Sequence, residues 1–369
     1  MKINILYIIE ELELGGAERV VIDQARLLDK SRFEVKVCCL RRKGDFAPLL
    51  EKENLAVIEL HKKKGVDLTI LLKIIHVIQK HHIDIVHTHL WVANFWGRAA
   101  AILTGVPVVV TEHNVDVWKK WHHKRIDRLL APLTQRICTV SEGVKRFYIN
   151  EVGLPAQKLT VVYNGIEPEP STSTTSAIET LKGEFGIKNG APVLVNIGRL
   201  VEAKANHIFI EALEILHQRS DDFFALIIGE GRLKERLMLR GKKLIDADKL
   251  IFTGLRKDVP QILDMAAVSV LSSTREGLSM VILESMAKGV PFVATDVGGN
   301  RELILDQQTG FLVEENNALA LADAIERILK NPTLAERMGK AAQRRVREYF
   351  TVTAMIEKME GIYKDVLEK

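Results

Sequence analysis

The sequence predicts an α/β protein built from two doubly wound domains of similar size that face each other across a cleft. Three observations lead there. Short apolar runs alternate with amphipathic helical stretches. The alternation stops once, at a segment rich in Pro, Ser and Thr, and then restarts. The chain has 369 residues, more than one hydrophobic core ordinarily organises.

Taken in order, strand-like runs lie near residues 3–9, 33–40, 55–60, 84–88, 107–111, 136–140 and 159–163. Ala17 to Asp29, Leu68 to Gln79 and Trp91 to Leu103 carry helical periodicity between them. Strands apolar on both faces and separated by helices form a parallel sheet covered on both sides. Such a sheet takes its ligand at the carboxyl ends of its strands. The first run ends directly in Glu10 and Glu11, is too short for a secretory core and lacks a cleavage site, so it reads as a strand. Nowhere do 18 apolar residues run together, so no membrane span is expected.

The segment from Asn164 to Ser176, with Pro168, Pro170 and a Ser/Thr run, reads as a linker. Strands then recur near 192–197, 223–228, 249–253, 268–271, 291–295 and 311–313, and helices fill 317–330, 333–349 and 352–368. No repeat of 20–50 residues is present. The expected division is a first domain at 1–166, a linker at 167–177 and a second domain at 178–350. A closing helix at 351–369 is free to pack back on the first domain.

Hydrophobic residues make up 47% and charged residues 27%, which excludes disordered and fibrous classes. The net charge of +4 is spread unevenly: 25 Lys and Arg stand against 18 Asp and Glu through Gly165, and 27 against 30 after it. Nine of the eleven histidines also fall in the first part. A basic first half suits anionic lipid, a phosphorylated acceptor or nucleic acid. Cys38, Cys39 and Cys138 each lie in an apolar run with no zinc or redox spacing, so buried thiols in a reducing, cytoplasmic setting are expected.

Several strand exits at the ligand end are polar or rich in glycine. The first strand leads into Leu14-Gly15-Gly16-Ala17-Glu18-Arg19, where adjacent glycines let backbone N–H groups approach a phosphate. This is neither the dinucleotide fingerprint nor a P-loop, which disfavours nicotinamide enzymes and P-loop NTPases. Gly198-Arg199-Leu200, with Lys204 five residues past the arginine, places two cations at a strand exit, and an arginine fork plus a lysine suits a diphosphate. Gly229-Glu230-Gly231, Gly254-Leu255-Arg256 and Val297-Gly298-Gly299-Asn300 are further exits of this kind. A tight turn or a solvated loop explains any one of them; their recurrence along one sheet points to a ligand.

The second half centres on Arg275 to Gly289. Glu276 and Glu284 stand eight positions apart, roughly 80° on a helical wheel, so one helix cannot carry both on one stripe. The helix is expected from about Met280, with Glu276 in the loop before it, Glu284 one turn inside, and Gly289 and Pro291 ending it. A helix start between two such carboxylates favours an anion. In the first half, Thr111-Glu112-His113-Asn114 follows an apolar run, which makes His113 a candidate acid, base or hydrogen-bond donor. His87 and His89 alone, without a third ligand, make a poor metal site.

With these motifs in hand, the chain resembles the large family of retaining glycosyltransferases with the GT-B fold, which includes lipopolysaccharide, capsule and mannosyl transferases. The resemblance rests on Gly15-Gly16-Ala17-Glu18-Arg19, on Gly198-Arg199-Leu200 with Lys204, and on Glu276 with Glu284. Val297-Gly298-Gly299-Asn300-Arg301-Glu302-Leu303 followed by Gly310-Phe311-Leu312-Val313 completes it. It implies a metal-independent hexosyltransferase without a cofactor, taking a nucleotide-sugar donor, with UDP the expected nucleotide. Arg199 and Lys204 would hold the diphosphate, an electrostatic role. Glu284 would accept from the ribose hydroxyls and Glu276 would contact the donor sugar. The N–H groups of Leu278, Ser279, Met280 and Val281 would meet phosphate or sugar. Gly229 and the backbone of Leu255 and Arg256 would border the base. Gly15 and Gly16 would close on the phosphate, and His113 would reach the sugar. Two departures stand out: Ala205-Asn206 follows Lys204 where the family commonly has Gly, and Ser279 stands where many members have Gly.

The acceptor is less legible, and a lipid- or glycan-linked one is expected. Lys62-Lys63-Lys64, and Trp118-Lys119-Lys120-Trp121-His122-His123-Lys124-Arg125, combine basic and aromatic residues that suit either a solvated helix or a peripheral anionic membrane on its inner face. No stacking platform or groove-reading helix accompanies them, so nucleic acid is not an expected partner. Two alternatives stay open: a sugar-nucleotide 2-epimerase of the same architecture, and a non-catalytic partner of a transferase.

Overall fold

The computed structural model describes residues 2–167, 173–187, 190–220 and 222–368. The chain separates into two compact units: residues up to Gly165 with those from Val352 onward, and Ile166–Thr351. The bounds expected at 166 and 351 each shift by one residue. Ile166 and Thr351 pair as a parallel bridge, and Ile166 N donates to Phe350 O at 2.9 Å, which ties both to the second unit. The expected linker lies partly outside the described residues, and its end is helical. Thr174 caps the helix Thr175–Glu184 by accepting from Ala177 N at 3.2 Å.

The first unit holds a seven-stranded sheet in the order β3-β2-β1-β4-β5-β6-β7, paired in parallel throughout. Its strands are β1 (Ile3–Glu11), β2 (Phe33–Arg42), β3 (Ala56–Glu59), β4 (Ile85–His89), β5 (Val108–Glu112), β6 (Arg136–Thr139) and β7 (Leu159–Val161). Ile5, Leu6, Tyr7, Ile8 and Ile9 are all sealed from solvent, as a strand covered on both faces requires. The strand order reverses direction between β1 and β4, the switch point where such sheets bind ligands.

The helix Val352–Leu367 belongs to this unit. Met355, Ile356, Met359, Ile362, Tyr363 and Val366 repeat at helical spacing and are buried. Each such side chain contributes about 1.5–3 kcal/mol relative to exposure. Tyr363 reaches the sheet, its hydroxyl 2.8 Å from that of Tyr7 on β1.

The second unit holds a six-stranded parallel sheet in the order β10-β9-β8-β11-β12-β13. Its strands are β8 (Val193–Ile197), β9 (Phe224–Ile228), β10 (Leu250–Gly254), β11 (Ala266–Leu271), β12 (Phe292–Thr295) and β13 (Gly310–Val313). Its switch point falls between β8 and β11. Two helices near its end start on asparagine caps, Asn317 accepting from Ala320 N at 2.9 Å and Asn331 from Leu334 N at 3.0 Å. The two architectures are Rossmann-like, each a doubly wound parallel sheet.

All three cysteines are free and buried, and burial pushes the thiols of Cys39 and Cys138 up to about 12. Among the described residues no helix is long and apolar enough to cross a membrane.

Candidate active site

The loops leaving β8 and β11 meet at the switch point of the second sheet. After β8 the chain runs through Gly198 and Arg199 into a tight turn at Glu202–Lys204. Ala205 then takes a left-handed conformation, φ +43°, and starts the helix Asn206–Arg219. That conformation costs an L-residue about 1–2 kcal/mol, and glycine takes it freely, so alanine here bears strain. The loop after β11 holds this turn in place. Ser272 Oγ donates to the carbonyls of Lys204 at 3.1 Å and Ala205 at 3.0 Å, and Thr274 N donates to Ala203 O at 2.9 Å. Beneath it, Asn206 Nδ2 donates to Asn196 Oδ1 at 2.8 Å, and Asn196 Nδ2 to Val270 O at 2.9 Å.

This framework brings Lys204 and Glu276 into contact. Lys204 Nζ lies 2.5 Å from Glu276 Oε1, and Ser273 Oγ donates to the same oxygen at 2.6 Å. Glu276 is buried and Lys204 half-buried, which strengthens their attraction over that of a surface pair. The backbone of Glu276 is also fixed. A Cβ on Gly298, whose φ is +54°, would fall 1.8 Å from Glu276 O, so only glycine lets the β12 exit approach that closely. Arg199 is exposed and makes no ion pair among the described residues.

The helix Met280–Lys288 begins directly after this loop, with Glu276 outside it and the half-buried Glu284 one turn inside. Ser279 caps it by accepting from Ile282 N, so the hydroxyl does work at the helix start that a glycine could not. The N–H groups of Met280 and Val281 stand in the first turn, where no intrahelical acceptor exists. Leu278 is buried. On the far side of β8, Gly229 lies against the neighbouring exit: a Cβ there would sit 2.1 Å from Gly198 O. Leu255 is exposed. Arg256 is drawn to Asp258, at 2.5 Å, and to Glu184, at 2.6 Å, so its guanidinium is committed locally and its backbone is what borders the exit.

In the first unit, Gly15 is the extended residue before the helix Gly16–Leu27, which has no side-chain cap. Its first N–H groups therefore lack the usual hydroxyl or carboxamide acceptor. His113 leaves β5 half-buried, with Nε2 3.0 Å from His89 Nδ1 at the end of β4. Desolvation pushes His113 down to about 4 and holds His89 well below its ordinary value.

Comparison with known proteins places the chain. The model of the glycosyl transferases group 1 matches residues 177–345, and that of glycosyltransferase family 4 matches 14–170. A UDP-Gal:α-D-GlcNAc-diphosphoundecaprenol α-1,3-galactosyltransferase of Escherichia coli is 26% identical, over 96% of this chain and 95% of that protein. Among solved structures, a glycosyltransferase from Rickettsia africae superposes with a TM-score of 0.87 at 23% identity, covering 100% of this chain and 99% of that one. HepE of Anabaena, crystallised with UDP, gives 0.85 at 24% identity over 99% and 100%. The chain belongs to the group 1 glycosyltransferases. Its fold is that of the GT-B structures it resembles.

Some parts of this glycosyltransferase escape sequence reasoning. Ser273 touches Glu276, and the only hint was the polar run Ser272-Ser273-Thr274 beside the carboxylate. His87 is not a free ligand: its Nδ1 lies 2.6 Å from Tyr363 Oη and its Nε2 2.7 Å from Thr111 Oγ1. Nothing local in the sequence joins Tyr363 to His87. Lys119, read as part of a basic aromatic helix, lies instead in a buried ion cluster. Its Nζ is 2.8 Å from both Asp127 Oδ2 and Tyr148 Oη, and Arg98 reaches Asp127 at 2.5 Å. A cation this deeply buried keeps its charge only with carboxylates around it. The helix itself is Trp121–Leu130, so Trp118, Lys119 and Lys120 precede it.

Proposed function

We propose that this transferase moves a hexose or N-acetylhexosamine from a nucleotide-sugar, with UDP as the nucleotide, to a lipid- or glycan-linked acceptor in cell-surface polysaccharide synthesis. The observation that carries the reading is the junction of Arg199, Lys204 and Glu276 at the β8–β11 switch point, beside the first turn of the helix Met280–Lys288. Two cations and a helix start suit a diphosphate, and a neighbouring carboxylate suits sugar hydroxyls. Similar structures support the nucleotide, since HepE has been crystallised with UDP-glucose. The Escherichia coli relative named for a diphosphoundecaprenol acceptor supports the lipid linkage.

In this reading Arg199 and Lys204 stabilise the departing diphosphate without a metal ion. Glu284 accepts from the ribose and Glu276 from the sugar. The N–H groups of Leu278, Ser279, Met280 and Val281 meet phosphate or sugar, and Gly229, Leu255 and Arg256 border the base with their backbone. Gly15 and Gly16 meet the phosphate, and His113 the sugar. Transfer proceeds with retention. The bond from the anomeric carbon to phosphate breaks as the acceptor oxygen bonds on the same face, and the acceptor's proton passes to the leaving phosphate oxygen.

A membrane-bound acceptor would suit the exposed side of the helix Trp121–Leu130. Trp121 is 71% and Leu129 66% exposed, and Arg125 and Arg128 share their stripe. Apolar tips beside cations favour an anionic cytoplasmic leaflet. Sedimentation with phosphatidylglycerol vesicles, and not with phosphatidylcholine alone, is the expected result.

The central test measures nucleoside diphosphate release from a panel of nucleotide-sugars, with and without lipid-linked glycan. Release with one UDP-sugar, lost in Lys204→Ala, is expected. Tight UDP binding with no turnover of any donor overturns the reading in favour of a non-catalytic role, and conversion of the donor without acceptor favours epimerisation.

A further inference from the structure

His89 takes no part in the donor contacts above, yet it is the residue that meets His113. It is wholly buried, with its Nδ1 3.0 Å from His113 Nε2. Two neutral imidazoles share a hydrogen bond only when one nitrogen of the pair carries hydrogen and the other a lone pair. The remaining nitrogens decide which. His89 Nε2 is buried and meets no partner among the described residues. A buried N–H without an acceptor is rarer in folded proteins than an unfilled lone pair. The hydrogen of His89 therefore belongs on Nδ1, where it is donated. His113 Nε2 then accepts, and the hydrogen of His113 lies on Nδ1. Desolvation keeps a second proton off both rings near neutral pH.

The surroundings leave His89 little freedom to turn. Its ring packs against that of His87 with centroids 4.2 Å apart, and against Tyr7 at 5.4 Å. His87 is held at both nitrogens by Tyr363 and Thr111, so it has no lone pair for a metal ion. Tyr363 is braced in turn by Tyr7. Leu90, next along the chain, has φ +69°, a strained conformation for leucine that the packing around His89 must hold.

We propose that His89 is the positioning residue for His113, fixing it as the Nδ1–H tautomer so that it offers the donor sugar a hydrogen-bond donor rather than a base. The role of His113 toward sugar rests on the glycosyl-transfer reading; the tautomer does not. Long-range ¹H–¹⁵N spectra of the free protein with labelled histidine, assigned with His113→Gln, test it without substrate. Hydrogen on Nδ1 of both His113 and His89 is expected, and hydrogen on His113 Nε2 overturns the proposal. Two variants give a second measurement. His89→Asn places an amide donor where Nδ1 stood, and should keep the His113 tautomer and most of kcat. His89→Gln places it where Nε2 stood, and should lower kcat by up to about 100-fold, with donor KM changed far less. Equal losses in the two variants also overturn it. Absence of turnover with every donor sinks the transfer reading and leaves the tautomer to be judged by the spectra.

Discussion

Lys204 Nζ and Glu276 Oε1 stand 2.5 Å apart, so the cation assigned to the diphosphate and the carboxylate assigned to the sugar are partners of each other. The two can be told apart by substitution. Lys204→Ala removes a charge-assisted contact and leaves Glu276 with Ser273, so UDP affinity should fall about 10-fold or more and stability by about 1–3 kcal/mol. Glu276→Gln keeps an oxygen for Ser273 and Lys204 to donate to, so UDP affinity should hold while transfer drops about 100-fold. Calorimetry with UDP and a turnover assay read the two effects. Equal loss of UDP binding in both variants would contradict this division of roles.

Gly298 makes a steric prediction at the same loop. Its added Cβ would meet Glu276 O at 1.8 Å, and its φ of +54° disfavours any other residue. Gly298→Ala should cost about 1–3 kcal/mol of stability and displace Glu276, with transfer falling further than stability explains. Gly183, inside the helix Thr175–Glu184 with nothing within 4 Å of its Cβ position, is the control: Gly183→Ala should stabilise by about 1 kcal/mol. Thermal unfolding of both variants checks the pair.

The sheet architecture was legible because most strands of both sheets carry a short apolar run, with helical periodicity between them. The strand exits were legible because Gly198, Gly229 and Gly298 mark places where two backbones touch. The long-range polar contacts were not. His87 and Tyr363 are 276 residues apart, and neither carries a local signal of the other. Lys119 was misplaced for a related reason: a run of Trp, Lys and His looks like a surface helix, and only the fold reveals Asp127 and Tyr148 around the ammonium. Periodicity reports which face is apolar, and it is silent on polar groups that pair across the core.

The ion cluster makes a prediction through its hydrogen count. Tyr148 Oη accepts from Lys119 and lies 2.7 Å from Glu112 Oε2 and 2.9 Å from Asp116 Oδ2. Its single hydrogen can serve one carboxylate, so the other contact needs a protonated carboxyl. Burial raises Glu112 to about 7 against the pull of Lys119, which makes it the carrier. The folded state thus holds a proton that the unfolded chain releases above its ordinary value near 4.5. This stability is present below that value and is lost as pH rises through 7. Between pH 5.5 and 8 the wild type should lose about 2 kcal/mol relative to Glu112→Gln. Lys119→Met, which leaves buried carboxylates short of a cation, should cost about 3–5 kcal/mol at any pH in that range. Urea unfolding at the two pH values gives both differences.

The buried histidines push in the opposite direction at lower pH. Desolvation, aided by His113, lowers His87 to about 3, and His89 and His113 are lowered with it, each from an ordinary value of 6.5. Between 6.5 and about 4 the unfolded chain binds a proton at each ring that the folded protein does not. Their stabilisation is therefore present above 6.5 and drains away as the solution is acidified, by about 1.4 kcal/mol per pH unit for each ring. Glu112 offsets one ring at most, and that offset fades as the unfolded glutamate protonates near 4.5. The net result is a first unit that weakens with acid. All four tryptophans, Trp91, Trp96, Trp118 and Trp121, lie in this unit, so their fluorescence follows its unfolding alone. The urea midpoint read this way should fall steadily from pH 6.5 to 4.5, and His89→Asn should flatten the slope by one ring. A midpoint unchanged over that range would show that these imidazoles already carry their protons in the folded state.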